Sequence, residues 1–200
     1  NDAARQGVDC VQALTNRPLE EARATCRALF DPADPDKLIT LGMLYGEQGY
    51  YAESLEPFKK ALAMDPDSFE TNYNLGLSYF RLKHYADARG SLAKAVDLRP
   101  DFFGSNALLG ATLFTLEEDE LAYRVLDHAH QLKPEDTDTV VLLFKVTMLL
   151  AYQHWSRKEY RECLGFLEKA RALRPNDAEV QERMAEVEAL LGTGTTAPKP

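Results

Sequence analysis

The sequence predicts an all-α fold in which antiparallel helix hairpins stack into a solenoid. Two observations carry this prediction: residues of the same type recur every 34 positions, and apolar residues follow helical spacing within each interval. Of the 200 residues, 45% are hydrophobic and 28% are charged, which provides enough apolar material for a sizeable core. Disorder of the whole chain is therefore excluded.

The interval is shared by residues that end helices and by residues that let helices approach closely. They are Pro32, Pro66, Pro100 and Pro134; Gly42, Gly76 and Gly110; and Ala61, Ala95 and Ala129. A proline stops a helix because it lacks an N–H and has a fixed φ. A glycine inside a helix costs about 1 kcal/mol relative to alanine. Its recurrence predicts close contact with a partner helix. The recurring alanine is the residue expected opposite the glycine, because its side chain is also small.

Each interval contains two helical apolar patterns separated by a short polar break. Leu38, Leu41 and Tyr45 belong to the first pattern, and after a break at Gly49 the second pattern runs from Leu55 to Leu62. This arrangement predicts one helical hairpin per unit.

Leu-Gly, a tyrosine or leucine three residues later, then alanine and proline, repeated every 34 residues, resembles the tetratricopeptide repeat family. The match is close over residues 35–68, 69–102 and 103–136. The resemblance implies a right-handed superhelical solenoid in which the first helix of each hairpin lines a concave surface. Because the repeated residues are fixed by helix packing, the motif is specific for the fold and nearly silent on function.

A fourth clear unit is predicted over residues 137–175, where Pro134 and Pro175 are 41 residues apart. Ala151 takes the place of the recurring glycine in this unit. The seven extra residues, at about 138–144, amount to nearly two helical turns. We therefore expect a lengthened first helix whose apolar face keeps its direction.

The two ends of the chain depart from the repeat. Residues 1–34 are predicted to form a degenerate hairpin, and residues 176–192 a capping helix of the kind that solenoids require. Asn176 and Glu179 have the spacing of a capping box, which places the start of that helix. Residues 193–200 are rich in Thr and Pro and are expected to be a disordered tail.

Net charge and cysteine content limit the classes of partner. A charge of −9 repels phosphate backbones and anionic lipid head groups, so we expect no nucleic-acid partner and no membrane insertion. Cys10 and Cys26 can face each other across the first hairpin, but buried thiols that pack as small apolar residues are the favoured interpretation, with Cys163 also unpaired. That interpretation favours a reducing compartment and so the cytoplasm, while export with a processed N-terminus stays open.

No local pattern of a catalytic site occurs, since G-x-S-x-G, Walker A and H-E-x-x-H sequences are all lacking. The sequence predicts a protein that is not an enzyme, with no catalytic residues and no cofactor. His128 and His130 lie about 200° apart around a helix, which prevents both from binding one metal. The acidic residues 117–120 are explained by the positive end of a helix, with a cation site as the weaker alternative.

The resemblance also predicts which residues a partner would contact, because concave positions have fixed offsets from the small residue of each unit. The candidate partner-binding residues are Ile39, Met43, Tyr73, Asn74, Leu77, Phe80, Arg81, Phe114, Met148, Tyr152 and Trp155. Such an apolar surface suits an amphipathic helix or an extended apolar peptide. The alternative is that the aromatic residues only pack between adjacent first helices.

The predicted function is a non-catalytic scaffold of about five hairpins that binds a peptide or helix of a partner protein. Some family members clamp the carboxylates of chaperone C-termini with lysine, asparagine and arginine. That function is disfavoured because Ile39, Met43 and Leu77 occupy positions where polar groups would be wanted. The alternative function is a structural or assembly subunit that self-associates, or docks onto a larger complex through its cap or convex face.

Overall fold

The computed structural model describes residues 2–27 and 33–193, and all regular structure in them is helical. This confirms the predicted all-α fold class. The helices of the described residues are α1 (Asp2–Asn16), α2 (Leu19–Cys26), α3 (Pro35–Glu47), α4 (Tyr51–Met64), α5 (Phe69–Arg81), α6 (Tyr85–Leu98), α7 (Phe103–Thr115), α8 (Asp119–Leu132), α9 (Thr137–Ser156), α10 (Tyr160–Leu173) and α11 (Ala178–Thr193). The predictions for Pro32 and for the tail beyond residue 193 lie outside the described residues.

The helices pack in consecutive pairs within two compact units, Asn1–Thr112 and Leu113–Pro200. In the first unit α1 packs on α2, α3 on α4 and α5 on α6, and α4 also contacts α5. In the second unit α9 packs against both α8 and α10, and α10 packs against α11. The pairing is that of the predicted hairpins.

A residue with positive φ ends the first helix of each of four hairpins in the described chain. These residues are Gly49, Lys83, Glu117 and Lys158. The next backbone N–H returns to a carbonyl of the last helical turn, as His84 donates to Tyr79 at 2.9 Å. This is the Schellman arrangement, which satisfies helix carbonyls and lets the second helix start two residues later.

The recurring glycines face large side chains of the second helix in the same hairpin. A Cβ at Gly42 would lie 2.6 Å from a ring carbon of Phe58, and one at Gly76 would lie 2.7 Å from Cγ of Leu92. The prediction of close helix contact at these glycines is confirmed. The nearest atoms belong to Phe58 and Leu92, however, and not to the recurring alanines that the sequence suggested.

The start of the last helix differs from the prediction. α11 begins at Ala178, and the carboxylate of Asp177 accepts the N–H of Val180 at 3.2 Å. The predicted capping box at Asn176 is therefore wrong by one residue. Glu179, its expected second member, instead accepts a hydrogen bond from the Tyr152 hydroxyl.

The cysteine interpretation is also corrected. Cys10 and Cys26 form a disulfide between α1 and α2, with Cα atoms 4.6 Å apart, and Cys163 is buried and free. Helix pairing, which sequence spacing does not measure, brings the two residues within bridging distance. Because disulfides persist mainly in oxidising surroundings, the cysteines no longer favour a reducing compartment.

The helices also differ in length. α9 has 20 residues, whereas α3, α5 and α7 have 13 each. Among residues 2–27 and 33–193, no helix combines the length and the apolarity that a membrane span requires.

Candidate partner-binding face

The predicted residues of the first unit lie on two neighbouring first helices, α3 and α5, which contact each other. Ile39 and Met43 are one turn apart on α3, and Tyr73 and Leu77 are one turn apart on α5. Met43 is 39% exposed, and the other three are half-buried. We call the set formed by Ile39, Met43, Tyr73, Asn74, Leu77, Phe80 and Arg81 the α3/α5 face.

The polar groups of the α3/α5 face are few. The Asn74 amide donates to the carbonyl of Glu70 at 2.9 Å, within its own helix. Arg81 is exposed at the end of α5. The face therefore presents mainly apolar side chains, with one guanidinium at its edge.

An aromatic cluster at the start of α5 borders this face, and the sequence pattern predicted only Tyr73 among its members. Phe102 packs edge-on against Phe69 at 5.1 Å and against Tyr73 at 5.2 Å between ring centroids. The Arg99 guanidinium lies 4.2 Å from the Phe69 centroid. Burial raises the pKa of the Tyr73 hydroxyl, with the Arg81 charge opposing it. These rings hold Tyr73 in place, and only the recurrence of aromatic residues at 69 and 103 hinted at them.

Phe80 and Trp155 have equivalent positions in their hairpins and make equivalent contacts. Phe80 meets Tyr85 edge-on at 5.6 Å and 72°, and Trp155 meets Tyr160 edge-on at 5.6 Å and 70°. In both cases the partner ring is the first residue of the second helix in the same hairpin. Phe80 and Trp155 therefore pack across the turn of their own hairpin. The alternative considered from the sequence was packing between adjacent first helices, which is a different contact.

In the second unit the predicted residues are distributed between surface and core. Tyr152 is 37% exposed, Phe114 is half-buried, and Met148 is only 7% exposed. Met148 belongs to a buried cluster that includes Val180 and Met184 of α11. The prediction that Met148 lies on an open surface is therefore corrected, because the end helix contributes to the cluster that buries it. Leu149, which the sequence analysis did not select, is 39% exposed.

Tyr152 is tied to the end helix through its hydroxyl, which donates to the Glu179 carboxylate. Burial raises the pKa of the Tyr152 hydroxyl most, and the hydrogen bond to Glu179 and then the Glu179 charge raise it further. Tyr152 is thus exposed in part while its hydroxyl is engaged within the unit. The neighbouring His154 is also engaged: it stacks on Phe166 at 5.3 Å, and its Nδ1 is 2.7 Å from Glu159 Oε2.

Among the acidic residues at the start of α8, Asp119 makes a contact within the second unit. Asp119 is the first residue of α8 and is 8% exposed, and the Gln153 amide of α9 donates to its Oδ2 at 2.7 Å. Within the described residues, no three histidine, cysteine or carboxylate side chains are placed to share a metal ion.

The geometry agrees with a comparison of sequences. The tetratricopeptide repeat model matches residues 39–101. This stretch of the chain is similar to tetratricopeptide repeats. The matched range covers α3 from residue 39 onward and all of α4, α5 and α6, and it includes every residue of the α3/α5 face. No curated protein matches the chain.

Solved tetratricopeptide repeat structures are similar to this chain. The first repeat domain of Spaghetti (RPAP3), bound to the HSP90 peptide SRMEEVD, is 28% identical, with a TM-score of 0.55, over 60% of this chain and 96% of that one. The first repeat domain of human RPAP3 is 28% identical, with a TM-score of 0.53, over 63% of this chain and 99% of that one. A structure of MamA from AMB-1 is 22% identical, with a TM-score of 0.60, over 88% of this chain and 94% of that one. The likeness to MamA is one of fold alone.

Proposed function

We propose that this chain is a non-catalytic protein-interaction scaffold whose α3/α5 face binds an apolar peptide or the apolar side of a partner helix. The observation that carries the proposal is the exposure of Met43, with the half-buried Ile39 one turn away on α3 and the half-buried Leu77 on the adjacent first helix α5. Helix packing within the hairpins is achieved by other residues, such as Leu38, which is fully buried. Exposed apolar side chains that neighbour one another are typical of binding surfaces.

The comparison with RPAP3 supports the general function, because that protein's first repeat domain is bound to a peptide. The chemistry of the peptide is expected to differ here. The acidic peptide SRMEEVD would meet the apolar Met43 and Leu77, with Arg81 as the guanidinium of the face. The net charge of −9 would also repel it at long range.

The experiment is a selection of displayed peptides on the purified chain, followed by fluorescence anisotropy with one selected peptide and with SRMEEVD. We expect the selected peptides to be apolar or amphipathic and to bind more tightly than SRMEEVD. Truncation of Met43 and Leu77 together to alanine should weaken binding by about 10- to 100-fold, because burying the still exposed part of each side chain contributes on the order of 1 kcal/mol.

Met64 provides a matched control, since it is an exposed methionine on the second helix α4. Met64→Ala should bind like the wild type. Full affinity in a folded Met43→Ala/Leu77→Ala variant would contradict the proposal. Tighter binding of SRMEEVD than of every selected peptide would contradict the predicted peptide chemistry.

A further inference from the structure

The Cys10–Cys26 disulfide lies inside a small apolar cluster formed by α1, α2 and α3. We call it the N-terminal cluster, and its buried members are Cys10, Ala13, Leu14, Ala22, Cys26, Leu41 and Tyr45. Both cysteines are 0% exposed. Helix α2 contributes only Ala22 and Cys26 to the buried members, with Leu19 half-buried against them, so apolar burial alone holds α2 weakly.

The helix that the disulfide ends is short. α2 has 8 residues, whereas the second helices α4, α6, α8 and α10 have 14 each. Isolated helices shorter than about 12 residues are marginal in water. Pro18 at its start provides no side-chain cap, and its buried residues are Ala22 and Cys26. The disulfide is therefore the strongest connection between α2 and the rest of the unit.

A partly exposed ion pair also links α2 to α4. Arg23 bonds to Glu53 at 2.9 Å, and the Arg23 side chain is 44% exposed. Exposed ion pairs contribute little to stability. Described residues of α2, α3 and α4, among them Arg23, Tyr45 and Glu53, also line a cavity of about 780 Å³. A helix that borders such a cavity lacks the close packing of a protein interior on that side.

We propose that the Cys10–Cys26 disulfide is a redox-controlled staple that determines whether the α1–α2 hairpin stays docked on α3. In the oxidised chain the hairpin covers Leu41 and Tyr45. In the reduced chain α2 unfolds and separates from α3, so that Leu41 and Tyr45 become accessible. Helices α4, α5 and α6 keep their fold in either state. This inference is independent of the proposed peptide binding.

Reduction of the Cys10–Cys26 disulfide requires a dithiol and proceeds by thiol–disulfide exchange. One thiolate of the dithiol attacks Sγ of Cys10 or Cys26, which breaks the S–S bond and forms a mixed disulfide. The second thiolate displaces the protein sulfur, so the dithiol becomes a disulfide. Two electrons and two protons end on Cys10 and Cys26 as thiols. Because both sulfurs are buried, the attack occurs when the hairpin opens locally.

Cys163 is an internal reference for the experiment. It is buried and free, and burial raises the pKa of its thiol. A buried thiol with a raised pKa reacts slowly. Changes that follow a reductant are therefore assigned to the disulfide.

The test is hydrogen exchange read by mass spectrometry on the full chain, in the oxidised form, after dithiothreitol, and after reoxidation. In the reduced form, amides of α1 and α2 should exchange roughly 100-fold faster, as expected for removal of a crosslink that closes a loop of this length. Amides of α5, α6 and α10 should not change. Reoxidation should restore protection, and alkylation should detect two additional thiols only in the reduced form.

Two variants complete the test. The Cys10→Ser/Cys26→Ser variant should exchange rapidly in α1 and α2 without reductant and should not respond to it, whereas Cys163→Ser should respond like the wild type. If the double variant does not fold, the reversible cycle of the wild type still decides. Unchanged protection of α1 and α2 in a chain with both thiols alkylated would overturn the proposal, as would a loss of protection that extends equally to α5 and α6.

Discussion

The two ends of the chain stabilise their terminal helices in different ways. In the N-terminal cluster, the terminal helix α2 contributes only small buried side chains, Ala22 and the disulfide-bonded Cys26. The counterpart in the second unit, which we call the C-terminal cluster, consists of Phe144, Met148, Ala151, Cys163, Leu167, Ala170, Val180, Met184 and Val187. Its cysteine is free, and most of its other members are large. The comparison indicates that a covalent link can take the place of apolar burial where the side chains are small.

The terminal helices at the two ends also differ in length and in capping. α11 has 16 residues, and the Asp177 carboxylate caps its first turn. α2 has 8 residues and begins at Pro18 without a side-chain cap. A long, capped helix with three buried apolar residues needs no crosslink, whereas a short one without a cap does. Cys163 accordingly packs as a small apolar residue.

The largest effect should come from truncating the C-terminal cluster. Leu167 is 1% exposed, so Leu167→Ala should lower the free energy of unfolding by about 3 kcal/mol through lost burial and a new cavity. Urea denaturation followed by circular dichroism measures this loss. Leu164→Ala, at the half-buried edge of the cluster, should cost clearly less. Equal losses for the two variants would show that burial does not dominate at this end.

A smaller effect should come from the packing of α3 on α4, which the disulfide does not provide. Gly42→Ala would place a Cβ 2.6 Å from the Phe58 ring and should cost about 1–3 kcal/mol. Gly46→Ala, one turn later with no atom within 4 Å, should instead stabilise by up to about 1 kcal/mol. Urea denaturation with and without dithiothreitol should give the same two changes. A Gly42→Ala loss that disappears on reduction would mean that the packing of α3 on α4 depends on the disulfide.

The sequence predicted the hairpins because each repeated residue acts within its own helix or turn. Pro66 stops a helix, and Gly42 and Gly76 permit close approach, whatever the rest of the chain does. The disulfide could not be predicted in this way, because it depends on the distance between Cα atoms of Cys10 and Cys26 in two different helices.

The candidate site was predicted only in part, for a related reason. Helical phase correctly selected Met43 and Tyr152 as exposed, but it treated Met148 in the same way. Helical phase shows which face of a helix a residue lies on, but not which other helices cover that face. Met148 is buried because residues of α11 pack with it in the C-terminal cluster.

The burial of two asparagines was not predicted, because polar residues in a helix suggest exposure. Asn72 and Asn106 are 34 residues apart and buried. Each donates to two backbone carbonyls of the preceding turn, Asn72 to Pro66 and Ser68 at 3.0 and 2.8 Å. The recurrence of a polar residue in the phase of the core could have identified them, since buried amides require partners.

The smallest predicted effect compares the turns that border the two clusters. Gly49 and Lys158 both have positive φ, and the residue after each donates to a carbonyl of the last turn of the first helix, at 2.8 and 2.9 Å. A side chain is strained in this conformation and glycine is not. Lys158→Gly should therefore stabilise the second unit by a few tenths to about 1 kcal/mol, while Gly49→Lys should destabilise the first by a similar amount. Arg157→Gly, at an ordinary negative φ, is the control and should destabilise. Because the hydrogen bonds of the two turns match, opposite signs for Lys158→Gly and Gly49→Lys would assign the difference to the side chain, and equal signs would refute it.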